Sequence, residues 1–103
     1  MNKSLTPEQS TPSFESEIDQ KEFFTGEFLR QVREFRKISL NEIADKTRVG
    51  KNYLRAIEEE NLEVFPALVY LKGFLKQYSS YIGLNPEKVI AGYVKLRSFK
   101  KNA

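Results

Sequence analysis

The stretch from residue 39 to residue 58 constrains the fold most, because two helical patterns are separated there by too few residues for more than a tight turn. Ser39 followed three residues later by Glu42 is a capping box, in which the hydroxyl accepts the amide of the third helical residue. The box predicts a helix from about Leu40, with Ala44 on its apolar face. A second helical pattern follows the turn, with apolar residues at Tyr53, Leu54 and Ile57. The stretch is therefore typical of a helix-turn-helix.

The turn and the start of the second helix carry side chains that suit the major groove of DNA. Arg and Lys hydrogen-bond guanine edges or phosphates, and Asn hydrogen-bonds adenine. We predict that bases are contacted by Lys51, Asn52 and Arg55. We predict that phosphates are contacted by Asn41, Lys46 and Arg48. Because one recognition helix reads only a half-site, this hypothesis also predicts a homodimer on double-stranded DNA.

Two local features of the motif are unfavourable. The turn requires one residue near the left-handed region, at Arg48 or Gly50, and glycine adopts that conformation at a cost lower by about 1 kcal/mol. An arginine in that conformation would strain the turn. The second helix ends in an acidic run, Glu58 to Glu60, which is unfavourable at the negative end of a helix and repels phosphate. We expect the Glu58–Glu59 carboxylate pair to lie on an exposed helix end.

Helical spacing predicts three further helices around the motif, which makes an all-α, five-helix bundle. The first runs from Glu27 to Lys37, with Phe23–Phe24 packed beneath it. The fourth opens at Pro66, where a missing amide costs nothing, and ends at a left-handed cap on Gly83. The fifth starts at Asn85–Pro86, with Asn as the N-cap.

The fourth helix carries two apolar stripes. One stripe is predicted to face the core and consists of Leu68, Leu71, Leu75, Tyr78 and Ile82. The other, about 90° around the helix, consists of Tyr70, Phe74 and Tyr81. The second stripe either seats the last helix, which we favour, or forms an exposed aromatic patch of the kind that anchors protein interfaces. Lys72 and Lys76 are expected to flank it.

Composition divides the chain into a disordered acidic arm at 1–22, a helix-turn-helix domain at 23–97 and a short basic tail at 98–103. Residues 1–25 carry a net charge of −3, whereas residues 26–103 carry +6 from 15 cations and nine acids. This basic balance weakly favours a polyanion as partner. The arm either stays solvated or folds back on the basic face. No apolar run suits a membrane span and no secretion signal opens the chain, so we expect a cytoplasmic location.

The residue inventory argues against an enzyme. The chain has no His and no Cys, which removes the usual general base, the thiolate nucleophile and the commonest metal ligands. Its five glycines are scattered and form no phosphate-binding loop. We therefore predict a non-catalytic protein that needs no metal and no cofactor.

The run from Gly26 to Glu58 resembles the Xre (Cro/repressor-type) helix-turn-helix family, which has the lambda-repressor-like fold. The matching positions are Gly26, Leu29, Arg33, Ser39, Ala44, Val49 and the closing Ile57–Glu58. Through Tyr93 the resemblance narrows to the five-helix variant at the cytoplasmic N-terminus of the bacterial cell-shape protein RodZ. The chain departs from the DNA-binding members at two positions: Arg48 stands where they usually have Gly, and Asn41 is the nearest substitute for their glutamine.

The resemblance also implies roles for particular residues. Arg33 and Glu58 match a structural ion pair. Tyr70 and Phe74 match an aromatic pair through which the RodZ domain engages an actin-like protein, with Lys72 and Lys76 beside them. Two functions follow. The chain is a DNA-binding, regulator-like module, which the basic motif favours, or it is an adaptor that binds an actin-like cytoskeletal or polarity protein.

Overall fold

The computed structural model describes residues 18 and 20–102, and the side chains up to residue 97. Within these residues the chain is all-α, as the sequence predicts, and contains five α-helices and a short 3-10 helix between the third and the fourth. The helices are α1 (Gly26–Phe35), α2 (Leu40–Thr47), α3 (Lys51–Glu59), the 3-10 helix (Leu62–Val64), α4 (Leu68–Tyr81) and α5 (Pro86–Asn102). The helix-turn-helix is formed by α2 and α3.

Short polar side chains fix where three of the helices begin. Ser39 Oγ accepts the amide of Glu42 at 3.0 Å, which confirms the predicted start of α2. Thr25 Oγ1 accepts the amide of Phe28 at 3.0 Å and starts α1 one residue earlier than predicted. Asn85 Oδ1 accepts the amide of Lys88 at 3.1 Å and begins α5 where the sequence places it. Each cap satisfies one amide that the helix itself leaves unpaired.

The turn of the motif is made by Arg48 and not by Gly50. Arg48 lies in the left-handed region at φ 65° and ψ 14°, and its amide donates to the carbonyl of Ala44. Gly50 has φ −58° and is the N-cap of α3. The chain therefore adopts the costlier of the two predicted solutions, by roughly 1 kcal/mol relative to glycine at that position. Gly83 is left-handed at φ 88°, as predicted.

The core lies where all five helices meet. Each helix contributes fully buried side chains to it: Leu29 and Val32 of α1, Ile43 of α2, Leu54 and Ile57 of α3, Leu75 and Tyr78 of α4, and Val89 and Tyr93 of α5. Phe24 is also buried and meets the ring of Phe28 edge-on at 6.0 Å. Phe23 is exposed, with Lys95 Nζ 5.6 Å from its ring centre, so the prediction that both aromatics pack under α1 holds for Phe24 alone.

Besides the start of α1, four predicted boundaries differ from the structure. Helix α1 ends at Phe35 and not at Lys37. The fourth helix begins at Leu68 and not at Pro66, and Leu68 is exposed, whereas the sequence places it in the core stripe. Helix α5 continues through the predicted tail to Asn102. Ile18, which the sequence assigns to the acidic arm, is buried in the core. The rest of that arm before residue 20 lies outside the described residues.

Candidate functional site

A buried ion pair joins three helices beneath the motif. Arg33 of α1 donates from Nε to Glu58 Oε2 at 2.6 Å and from Nη2 to Glu58 Oε1 at 3.0 Å, a bidentate pair. Tyr78 of α4 donates its hydroxyl to the same Oε2 at 2.6 Å. The side chains of Arg33 and Glu58 are only 11% and 4% exposed. The pair that the resemblance marks as structural therefore fixes how α1, α3 and α4 dock.

The ionisation of this group is shifted in the direction that keeps the pair intact. The hydrogen bond to Glu58 raises the pKa of Arg33. Burial raises the pKa of Tyr78 well above its ordinary value, and the neighbouring Glu58 carboxylate raises it further. Tyr78 consequently remains a donor, and Glu58 receives three hydrogen bonds.

A second acid of the run is also used internally. Glu60 Oε2 accepts the amide of Gly26, the first residue of α1, at 2.7 Å. Its other oxygen lies 3.2 Å from Arg97 of α5, whose guanidinium stacks 4.3 Å from the ring centre of Tyr93. The expectation that the Glu58–Glu59 pair lies on an exposed helix end is therefore wrong for Glu58, and Glu60 is partly buried as well. Glu59 is exposed.

The predicted DNA-contacting residues are all exposed, and we call them the motif face. They lie on α2, in the turn and on α3, and are Asn41, Lys46, Arg48, Lys51, Asn52 and Arg55. Lys46, Arg48 and Lys51 come from consecutive segments around the turn. Arg55 instead lines a shallow hollow that also contains Glu27, Glu58 and Glu59. The basic character of the motif face is thus concentrated at the turn and the first turn of α3.

Four large apolar side chains are exposed at the start of α4 and in the 3-10 helix before it. We call this set the α4 surface; it consists of Val64, Leu68, Val69 and Tyr70, which are between 40% and 69% exposed. The sequence suggests an exposed patch only as the alternative for Tyr70, Phe74 and Tyr81, and it gives no such indication for Leu68 and Val69. A usable signal was present, since residues 68 to 71 are four consecutive apolar residues. Successive side chains advance by about 100° around a helix, so all four cannot face one core.

The predicted aromatic stripe divides into a supporting part and an exposed part. Phe74 is half-buried, with its ring centre 4.7 Å from that of Tyr53 and 6.2 Å from that of Phe65. Tyr81 donates its hydroxyl to Glu42 of α2 at 2.6 Å, which raises the pKa of Tyr81. These contacts are with α2, α3 and the loop before α4, so the prediction that the stripe seats the last helix is wrong. Tyr70 is exposed, with its ring centre 6.3 Å from that of Phe74.

The two predicted flanking lysines are exposed but lie away from Tyr70. At about 100° per residue, Lys72 and Lys76 fall more than a quarter turn around α4 from Tyr70, beyond Val69. Lys72 borders an open groove between α4 and α5 that is lined by Glu87, Ile90, Ala91, Val94 and Lys95. The lysines therefore border the α4 surface on the Val69 side.

The family model of the helix-turn-helix domain matches residues 28–89, which is more than half of the chain. The chain belongs to the helix-turn-helix domain family. The predicted resemblance is confirmed in its narrower form as well, because the matched relatives include a RodZ protein. No solved structure matches the chain.

Two curated relatives are similar at modest identity. The uncharacterized membrane protein YmfM of Bacillus subtilis (strain 168) is 33% identical over 58 residues, which cover 56% of this chain and 20% of that protein. The cytoskeleton protein RodZ of Streptococcus pneumoniae (strain ATCC BAA-255 / R6) is 32% identical over 68 residues, which cover 66% of this chain and 25% of that protein. The chain thus spans about a fifth to a quarter of these relatives. Among the described residues, no helix has both the length and the apolarity to cross a membrane.

Proposed function

We propose that this domain is a non-catalytic, cytoplasmic protein-binding module of the RodZ type, and that the α4 surface binds an actin-like cytoskeletal protein. The observation that carries the proposal is the exposure of four large apolar side chains at one end of α4, namely Val64, Leu68, Val69 and Tyr70. Large apolar side chains that are exposed close together in the sequence of a small domain are unfavourable in water and are typical of a surface that a partner covers. Tyr70 is the residue type that most often anchors such an interface.

The aromatic cluster behind the α4 surface supports this assignment. Phe74, Tyr53 and Phe65 pack against one another, and Phe74 supports the ring of Tyr70 from below. A partner would therefore meet side chains held by the core and would lose little entropy on ordering them. The resemblance to the RodZ domain suggests the class of partner, and the RodZ relative is named as a cytoskeleton protein. The sequence alone favours DNA, and the exposure of Leu68 and Val69 changes that preference.

The test is a binding titration of the purified domain against the actin-like protein of the same bacterium, with two matched double variants. Val69→Ser with Tyr70→Ser removes two exposed apolar side chains, and we expect affinity to fall by about tenfold or more. Lys51→Ala with Asn52→Ala alters the motif face and should leave affinity unchanged. Circular dichroism checks that both variants are folded. Equal affinity for the wild type and the Val69/Tyr70 variant would refute the proposal.

DNA binding through the motif face is a second candidate, and one specific observation supports it. Arg48 holds an unfavourable left-handed conformation that a glycine would adopt more readily, and the result is an exposed cation in the turn. Glu58 and Glu60 are bound internally, which lowers the repulsion of phosphate at the end of α3. Under this candidate the domain acts as a homodimer, with Lys51, Asn52 and Arg55 at the bases and Asn41, Lys46 and Arg48 at phosphates.

Fluorescence anisotropy with random-sequence duplex DNA, from about 50 to 200 mM salt, tests the second candidate. DNA binding by the motif face predicts an affinity that falls steeply with salt. The Lys51→Ala variant should then show a shallower slope, because one phosphate contact fewer releases fewer counterions. Absence of binding at the lowest salt concentration would exclude the second candidate.

A further inference from the structure

Gly73 is the glycine of the chain with the most open surroundings in the described structure. A Cβ on Gly26 would collide with the backbone of α3, and one on Gly92 would lie 2.5 Å from the carbonyl oxygen of Glu22. Gly83 has a positive φ, and Gly50 is the N-cap of α3. At Gly73, in the middle of α4, a Cβ would have no described atom within 4 Å apart from its two chain neighbours and the backbone of its own helix.

An open glycine in the middle of a helix is a measurable cost to the free domain. Glycine loses more backbone entropy on folding than alanine, and the difference corresponds to about 4–8 °C in melting temperature for a domain of this size. Nothing among the described contacts of Gly73 offsets that cost. The compensating contact must come from outside the domain if the glycine has a function.

The position of Gly73 shows where such a contact would lie. On a helix surface, residues three and four positions away are neighbours. Gly73 is therefore bordered by Val69 and Tyr70 of the α4 surface on one side and by Lys76 and Gln77 on the other, and all four are exposed. The glycine leaves a position without a side chain between the apolar residues Val69 and Tyr70 and the basic residue Lys76. Such a position lets another backbone approach closely.

We propose that an α-helix of the partner crosses α4 at Gly73, with apolar side chains on Val69 and Tyr70 and carboxylates beside Lys72 and Lys76. This inference rests on the proposed function and specifies the chemistry of the partner. The absence of a Cβ brings the two helix axes closer than the usual 8–10 Å. A second copy of this chain is the poorer occupant, because two α4 helices packed together would place their lysines in proximity.

The Gly73→Ala variant tests the proposal, because its effects on stability and on binding have opposite signs. Melting of the free domain should rise by about 4–8 °C, since alanine is the better helix former. Affinity for the actin-like protein should fall by about tenfold or more, because the added methyl group holds the partner backbone away. Lys76→Glu should also lower affinity, by reversing the charge of the basic edge. A matched control is Gln31→Gly on the exposed side of α1, which lowers stability and should leave affinity unchanged.

Each outcome separates this inference from the proposed function. If Gly73→Ala keeps wild-type affinity while the double variant Val69→Ser with Tyr70→Ser loses it, the proposed helix crossing at Gly73 is refuted. Binding of the partner by the α4 surface is then still supported. If none of these variants affects affinity, or the wild type does not bind, both proposals fail. A fall in melting temperature for Gly73→Ala would show that the fold of the free domain requires glycine at this position, and would refute the inference. If sedimentation shows a dimer of the free domain that Gly73→Ala dissociates, the occupant is a second copy and the partner helix is excluded.

Discussion

Replacing Arg33 by methionine removes the guanidinium that neutralises Glu58, a carboxylate whose side chain is only 4% exposed. The two hydrogen bonds of 2.6 and 3.0 Å to Glu58 disappear, and the hydrogen bond of 2.6 Å from the Tyr78 hydroxyl remains. Removing one partner of a buried pair typically costs about 3–5 kcal/mol, because the other charge stays buried without compensation. Domains of this kind have about 5–15 kcal/mol of total stability, so the loss would be a large part of it.

Urea denaturation followed by circular dichroism at the helical band measures the loss. We expect the midpoint to fall while the slope with urea stays the same, since the exposed area on unfolding does not change. The triple variant Arg33→Met, Glu58→Leu and Tyr78→Phe removes both charges and the hydroxyl that would lose its acceptor, and its stability should lie within about 1–2 kcal/mol of the wild type. Arg30→Ala, which breaks exposed ion pairs with Glu27 and Glu34, serves as the control and should have little effect. A loss below about 1 kcal/mol for Arg33→Met would refute the reasoning, because exposed pairs have that magnitude.

Three further predictions concern caps, the turn and pH. Ser39→Ala removes the N-cap of α2 and should lower the free energy of unfolding by about 1 kcal/mol in the same urea assay. Arg48→Gly relieves the left-handed arginine and should raise it by about 0.5–1 kcal/mol, and an unchanged or lower value would show that the side chain has contacts that outweigh the strain. Burial raises the pKa of Tyr78 and of Tyr93 in the folded state. Above pH about 10 the unfolded chain therefore binds fewer protons than the folded one, and stability should fall as pH rises. The urea midpoint between pH 9 and pH 11 measures this fall, which Tyr78→Phe should reduce.

Local signals of the sequence were sufficient for most helix starts. The Ser39–Glu42 box and the Asn85–Pro86 pair act over three or four residues, and both helices begin where these pairs place them. The turn shows the limit of local reasoning. Gly50 is the cheaper residue for a positive φ, but the packing of α3 against α2 places the reversal at Arg48. Tertiary packing outweighs a local preference of about 1 kcal/mol.

Contacts between distant residues could not be read from spacing. Glu60 binds the amide of Gly26, 34 positions earlier, and Arg97 from the last helix. Helical periodicity contains no information about such a pairing. The sequence therefore predicts only that the Glu58–Glu59 pair lies on an exposed helix end. The Arg33–Glu58 pair was predicted only through the resemblance to a family. The exposure of Leu68 and Val69 was readable in principle from the four consecutive apolar residues, but a two-stripe description of α4 concealed it.

The choice between a protein partner and DNA depends on which features the fold does not need. The internal neutralisation of Glu58 and Glu60 docks α1, α3, α4 and α5, so it would be present whatever the domain binds. A residue that lowers the stability of the free domain says more about the binding surface, because the fold alone gives no reason for its presence. On the motif face, Arg48 is such a residue. On α4, the apolar side chains of Leu68, Val69 and Tyr70 and the open glycine at position 73 lie within two turns of helix. The exposed apolar side chains lie on α4, and a protein that covers them would offset the cost of leaving them in water.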